Sequence, residues 1–501
     1  MGITFKQFGL VGLGMAAGLA GTLHFSATAQ KAAAGALPLD ELRQLADVFG
    51  LIKSDYVEPV EDKKLLTEAI SGMVASLDPH SVYLDQKAYR EMNESMQGRF
   101  VGIGIEVAME DGYVVVVSPI EDSPAFRAGV RAGDLVTRID NASLKGLTLD
   151  EVIKKMRGQP RSKISLTIAR KGEEKPWPVA MVREEIHVQS VKGKIVEPGY
   201  AWLRVSQFQQ MTLDELAKKA AALVAQEPHM KGLVLDLRND PGGLLPGAIG
   251  VSSAFLPKDA EIVSTNGQLP ESRQTMYGRR DFYAPQSATD PLAKLPAALK
   301  TVPMVVLVNA GSASASEIVA GALQDYKRAI IMGSQTFGKG SVQTLRKLTA
   351  DTAIKLTTAR YYTPHGRSIQ ARGIVPDLAV DDSAEGDAAS AAQVREADLD
   401  KHLNNEADKD APAAPAHQLT RDEERRALDK RRKPLDFGGK DDFQLAQALN
   451  HFKGLPVQLS KNPPRPDAPL AADGKPAPAA PAKAPALAPA AAPEPKAGAS
   501  H

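Results

Sequence analysis

The chain contains no cysteine. That excludes disulfides, thiolate nucleophiles and cysteine-ligated zinc, and it suits a protein that must pass through an oxidising compartment without mispairing. Neither sign of charge is in excess. With 61 Lys and Arg against 60 Asp and Glu, the formal net charge of +1 gives no general electrostatic case for nucleic acid or for a charged membrane surface. Metal-binding patterns are missing as well: no H-E-x-x-H and no acidic cluster of metal spacing occur, and His187, His229 and His365 have no recognisable triad context. No metal and no cofactor is therefore expected. What the chain does have is length, since 501 residues accommodate several domains with a core large enough to need no staple.

At the N-terminus Lys6 precedes an apolar run from Phe8 to Phe25, followed by Ala27 and Ala29 in an A-x-A arrangement before Gln30. Residues 1–29 are expected to be a secretory signal or, uncleaved, a membrane anchor. Both imply export. Residues 38–96 carry helical periodicity, with Leu42, Leu45, Val48 and Phe49 on one face, until Pro79 breaks it in "LDPHSVYL", where His80 reads as a structural turn residue. Residues 97–182 change to strands and turns around a single helix, "TLDEVIKKMRG", and predict a compact β module. In its opening "VGIGI", Gly102 and Gly104 are placed to leave backbone N–H groups free for a carboxylate beside a strand edge. The helix offers a groove wall through Leu149, Val152 and Met156, and Arg157 at its end either caps the helix dipole or pairs with a carboxylate.

Residues 186–378 alternate short apolar runs with helical ones, the pattern of an α/β layer structure and the expected place of chemistry. Residues 395–453 are expected to form a C-terminal helical segment that includes the charged run "DEERRALDKRRKPLD". Residues 461–501, mostly Ala, Pro and Lys, cannot bury a core and are expected to be a disordered tail.

Within the α/β region "GSQTFGKGS" almost makes a phosphate-binding loop, but Gly340 stands where the metal-binding hydroxyl belongs and the residues after Lys339 read as strand instead of helix. Upstream, the apolar run "MVVLV" leads into "NAGSASASEIV", which sets a serine at a tight strand-to-helix junction. Ser314 and Glu317 also fit a capping box, so nucleophile and helix cap both remain open for Ser314. A lysine at the end of the next strand suggests a Ser-Lys dyad. Its amine must be neutral to accept the hydroxyl proton, which requires a pKa lowered by about 2 to 3 units, through burial beside Phe337 and the strands. Spacing alone does not separate Ser314 from Ser312 or Ser316.

The stretch "GSASASEIVAGALQDYKRAIIMGSQTFGKGSVQT" resembles the active-site block of the C-terminal processing peptidases, peptidase family S41, and "SLDPHSVYL", "LVLDLRNDPGGLL" and "ARYYTPHGRSIQARGIVPD" extend the resemblance over residues 40 to 380. The run "SPAFRAGVRAGDLV" is similar to PDZ domains of bacterial proteases. The resemblance implies an α/β and β multidomain chain: a helical N-terminal region, a PDZ module inserted near the start of an α/β protease core with ClpP- and crotonase-like layers, and a helical C-terminal segment. It implies Ser314 as nucleophile, Lys339 as general base, Gln343 orienting the lysine, and the amides of Ala315 and Gly243 as the oxyanion hole. In the PDZ module it implies a carboxylate loop at Gly102, Ile103, Gly104 and Ile105, and a groove touching Val152, Met156 and Arg157. The implied partners are protein substrates with accessible C-termini, a tetratricopeptide lipoprotein adaptor and further copies of the chain. The implied setting is the periplasm of a Gram-negative bacterium. The competing expectation is a catalytically inactive PDZ scaffold of the envelope.

Overall fold

Two apolar runs without polar alternation, Gly232–Asp236 and Met304–Val308, are buried along their whole length, as strands covered on both faces must be. They lie side by side and parallel in a six-stranded sheet of order Val191–Glu197, Tyr200–Val205, Gly232–Asp236, Met304–Val308, Ile330–Gly333 and Leu378–Ala379. Only its first pair is antiparallel. The computed structural model describes residues 37–110, 113–120, 122–285, 287–384, 394–406 and 437–461. The expected signal or anchor, the charged run at 422–436 and the Ala/Pro tail beyond 461 lie outside the described residues. Among the described residues no helix is long and apolar enough to cross a membrane.

One face of the sheet is covered by helices Thr212–Gln226, Leu245–Phe255 and Ala315–Asp325, whose Leu216, Leu223, Phe255, Val319 and Leu323 share a core with Leu203, Leu235 and Val306. The other face is sealed late in the chain. Helix Phe443–Phe452 lays Leu445, Ala448 and Leu449 against Trp202, Val234, Val305 and Met332. A second sheet leans on the core, with Ala353–Tyr362 at its centre. That strand pairs antiparallel with Ser341–Lys347, Val82–Leu84 and Glu261–Gly267. The residues after Lys339 are thus a strand, as the hydrophobic pattern indicates.

Residues 101–182 form the β module. Its sheet runs Ile105–Glu110, Tyr113–Pro119, Leu135–Ile139, Lys163–Ala169 and Trp177–Val182, leaving Ile105–Glu110 as an edge strand. The helix Leu149–Met156 begins in a capping box: the Thr148 amide donates to Glu151 Oε2 (2.8 Å) and the Glu151 amide to Thr148 Oγ1 (3.3 Å). Its Val152 (0% exposed) and Met156 (5%) point into the module's own core with Ile103, Val136 and Leu166. The partly open residues of the helix are Leu149 and Ile153, one turn apart, while Val152 and Met156, expected in the groove wall, are buried. The "SPA" turn anchors the glycine loop, since Gly104 carbonyl accepts from Ile120 N (2.9 Å) and Ser123 Oγ (3.0 Å), and Ile103 carbonyl from Ala125 N (3.0 Å). Arg157 donates to Glu94 Oε2 (3.1 Å) and lies over the Phe100 ring (5.4 Å), so its guanidinium is engaged within the protein.

The chain divides into two compact units, up to Met73 and from Val74 onward. In the first, Lys53 Nζ reaches Asp62 (2.6 Å) and Val60 carbonyl (2.8 Å), tying the helix Leu39–Asp55 to the start of Asp62–Ala75. Leu42, Leu45, Val48, Leu66 and Met73 are exposed there.

Candidate active site

Three loops leave the carboxyl ends of three neighbouring parallel strands, where open α/β sheets place their ligands. Gly232–Asp236 leads into Asp240–Gly243, Met304–Val308 into Ser314, and Ile330–Gly333 into Lys339. Adjacency in the sheet converts residues far apart in sequence into neighbours.

Ser314 stands immediately before helix Ala315–Asp325 with φ 57° and ψ −112°, a left-handed backbone that costs a non-glycine residue about 1–3 kcal/mol. The three serines of "SASAS" now differ. Ser312 Oγ donates to Leu237 carbonyl (2.7 Å) and Ser316 Oγ to Asp240 carbonyl (2.9 Å), both fully buried. Ser314 is only half-buried, and its side chain lies beside the phenol of Tyr361. That phenol in turn donates to the carbonyl of Lys339.

Lys339 is half-buried. Burial lowers its amine to about 8, the charge of Lys355 acts in the same direction, and Glu396, Glu317 and Asp78 oppose both. An amine near 8 is about one tenth neutral at pH 7. Gln343 sits beyond a bulge in the strand that follows, and its Nε2 donates to Ser341 Oγ (3.0 Å) and Thr357 Oγ1 (3.2 Å). Thr357 donates onward to Asp78 Oδ1 (3.0 Å), which also accepts from the amides of His80 and Ser81, both at 2.9 Å. The "LDPHS" turn thus buttresses Gln343 from behind. His80 itself meets Glu396 Oε2 at 2.7 Å and, as a turn residue, stays outside the Ser314–Lys339 pair.

The Asp240–Gly243 turn is wedged between Ser314 and Phe208. A Cβ on Gly242 would lie 2.7 Å from Ala313 carbonyl oxygen and 2.8 Å from Ala315 nitrogen, and one on Gly243 would lie 2.1 Å from Phe208 carbonyl oxygen. Both glycines have positive φ, 95° and 145°. The Gly242 amide is consumed by Asp240 Oδ1 (2.8 Å), whose carboxyl burial pushes up to about 8. Gly243→Ala is expected to lower kcat about 100-fold by displacing the turn, which steady-state kinetics on a folded variant will read.

Sequence reasoning missed Tyr361, Thr357 and Glu396 as neighbours of the site. The first two lie on one strand, and only its pairing with the strand after Lys339 brings them in.

Family models match in three places: "Activating protease CtpB N-terminal domain" over residues 16–88, "PDZ domain" over 101–180, and "Peptidase family S41" over 199–380. A carboxy-terminal-processing protease of Bartonella bacilliformis is 42% identical over 417 residues, covering 83% of this chain and 88% of its own. The chain belongs to peptidase family S41. A probable CtpA-like serine protease of Staphylococcus aureus (strain COL) is 39% identical over 345 residues, 68% of this chain and 65% of that protein. Among solved structures, a photosystem II D1 C-terminal processing protease is 29% identical, covering 65% of this chain and 84% of its own with a TM-score of 0.39. S41 carboxy-terminal processing proteases are serine peptidases, and this chain joins that peptidase core to a PDZ domain.

Proposed function

We propose that the protein is an exported endopeptidase in which Ser314 attacks the peptide carbonyl and neutral Lys339 takes the hydroxyl proton. The observation that carries this reading is the convergence of the two residues on adjacent strand ends, one on a strained helix start, the other with an amine lowered by burial. The amides of Ala315 and Gly243 stabilise the tetrahedral oxyanion; among the described residues neither donates to another acceptor. The protonated lysine then returns its proton to the leaving amine, and water releases the acyl group. Gln343, held by Thr357, orients the lysine amine.

The PDZ domain receives the free C-terminus of a substrate protein by strand addition to Ile105–Glu110, with its carboxylate at the Gly102–Ile105 loop. The apolar run at residues 8–25 supports an envelope setting, the periplasm being the compartment that fits a cysteine-free chain. An assay on an unstructured protein with an apolar C-terminal tail tests the reading: fragments are expected, and an intact substrate would refute it. Amidating that tail is expected to raise KM about tenfold or more with kcat little changed, because only the PDZ contact is lost.

The pH profile provides a further check. Only neutral Lys339 accepts a proton, so kcat/KM is expected to rise about tenfold per pH unit up to about 8 and then level off. A flat profile between pH 6 and 8 would be incompatible with lysine as base.

A further inference from the structure

We propose that Glu317 is the positioning residue of the site, holding candidate nucleophile and candidate base in register through one carboxylate shared between their backbones. Oε2 accepts from the amides of Ser314 (2.8 Å) and Lys339 (2.9 Å), and Oε1 from the Gly338 amide (2.7 Å) and Thr336 Oγ1 (2.6 Å). Glu317 is 0% exposed, and among the described residues no ion pair engages it. A helix cap explains only the Ser314 contact. The other three donors come from a loop 19 to 22 residues further on, so the carboxylate is a cross-link between two strand-end loops.

The far side of that loop is fixed independently. Thr336 Oγ1 accepts from Ile374 N (2.6 Å), and Gly338 carbonyl from Ala371 N (2.7 Å). Phe337 N also donates to Ser312 carbonyl (3.1 Å), and Glu317 shares with that bond the control of the distance from Lys339 to Ser314. That matters because a lysine reaches its target on a flexible four-carbon stem, and the position of its Cα limits where the amine can go. A glutamine at 317 keeps the volume and one acceptor but turns an NH₂ donor toward two of the four donors, so the cross-link opens.

This inference rests on the dyad reading, and the test separates the two. The groups around the Lys339 amine are Lys355, Glu396, Glu317 and Asp78; around Glu317 they are Ser314, Thr336, Tyr361, Arg395 and the Gly338 and Lys339 amides. In Glu317→Gln, one of the three carboxylates that raise Lys339 is lost. The plateau kcat is expected to fall about 100-fold with KM within about twofold, and the ascending limb of the pH profile to move to lower pH. A purely structural residue would lower the folded fraction and leave the plateau kcat of the folded enzyme in place, while the limb reports the lost charge. An unchanged plateau, or an unmoved limb, overturns the proposal. If Glu317→Gln does not fold, Thr336→Val, which removes one donor and leaves the carboxylate, is expected to lower kcat about tenfold, and an unchanged kcat overturns it equally. Inactive Ser314→Ala beside a fully active Glu317→Gln would sink this inference alone; an active Ser314→Ala would sink the dyad with it.

Discussion

Ser314→Ala and Lys339→Ala are each expected to lower kcat/KM on an unstructured protein by at least about 10⁴-fold while leaving the protein folded. The serine variant removes the attacking oxygen. The lysine variant leaves that oxygen without its proton acceptor, and His80, in the turn behind Gln343, is committed to Glu396. Lys339→Arg is expected to be as inactive as Lys339→Ala, because a guanidinium does not become neutral in the accessible pH range. Ser312→Ala and Ser316→Ala supply the contrast. Their hydroxyls bond backbone carbonyls, so each variant is expected to lose about 1 kcal/mol of stability and keep most activity. Full activity of Ser314→Ala or Lys339→Ala in a fragment-release assay would remove the dyad.

Asp442→Ala is expected to destabilise the protease core by about 3–5 kcal/mol. The Arg238 guanidinium, only 2% exposed, lies between Asp236 and Asp442 with N–O distances of 2.6 Å to each. Gln444 Oε1 accepts from it at 3.1 Å, and the Phe437 ring faces it at 4.7 Å. Truncating one carboxylate leaves a buried cation half-compensated, and that penalty, more than the strength of the ion pair, dominates the loss. The midpoint of the core's urea transition measures it. A change below about 1 kcal/mol would mean that residues 437–461 contribute little to the core. Activity should fall in parallel, because Arg238 is two residues from Asp240, whose carboxyl shapes the Gly242 turn.

The fold was most legible where apolar runs are uninterrupted. "MVVLV" and "GLVLD" announce buried strands, and the glycines of "DPGG" announce backbone contact, because hydrophobicity and missing side chains are written locally. Lys339 and a serine of "SASAS" could be singled out because a junction serine and a lysine one strand later form a chemical pattern, and the choice of Ser314 among the three came from the family resemblance. Ser312 and Ser316 could not be set aside, since what distinguishes them is which carbonyl their hydroxyls reach. Nor could Glu317 be recognised as more than a cap: three of its four donors lie across a strand and a turn. Val152 and Met156 show another limit. Helical spacing identified the apolar face correctly but could not say whether that face met a ligand or the module's own sheet.

The late sealing of the central sheet has a consequence for how the enzyme comes into being. Arg238 and Asp442 are 204 residues apart in sequence, so the contact closes a loop longer than the stretch of 199–380 matched by the peptidase model. Contacts of such separation form slowly and late. A chain emerging from its N-terminus can pair its early strands, but it cannot neutralise Arg238 or cover Val234, Val305 and Met332 until residues 437–452 have arrived. The Asp240–Gly243 turn, rooted next to that cation, is therefore among the last parts of the molecule to be locked. Until residues 437–452 dock, the sheet beneath that turn lacks one of its two covers.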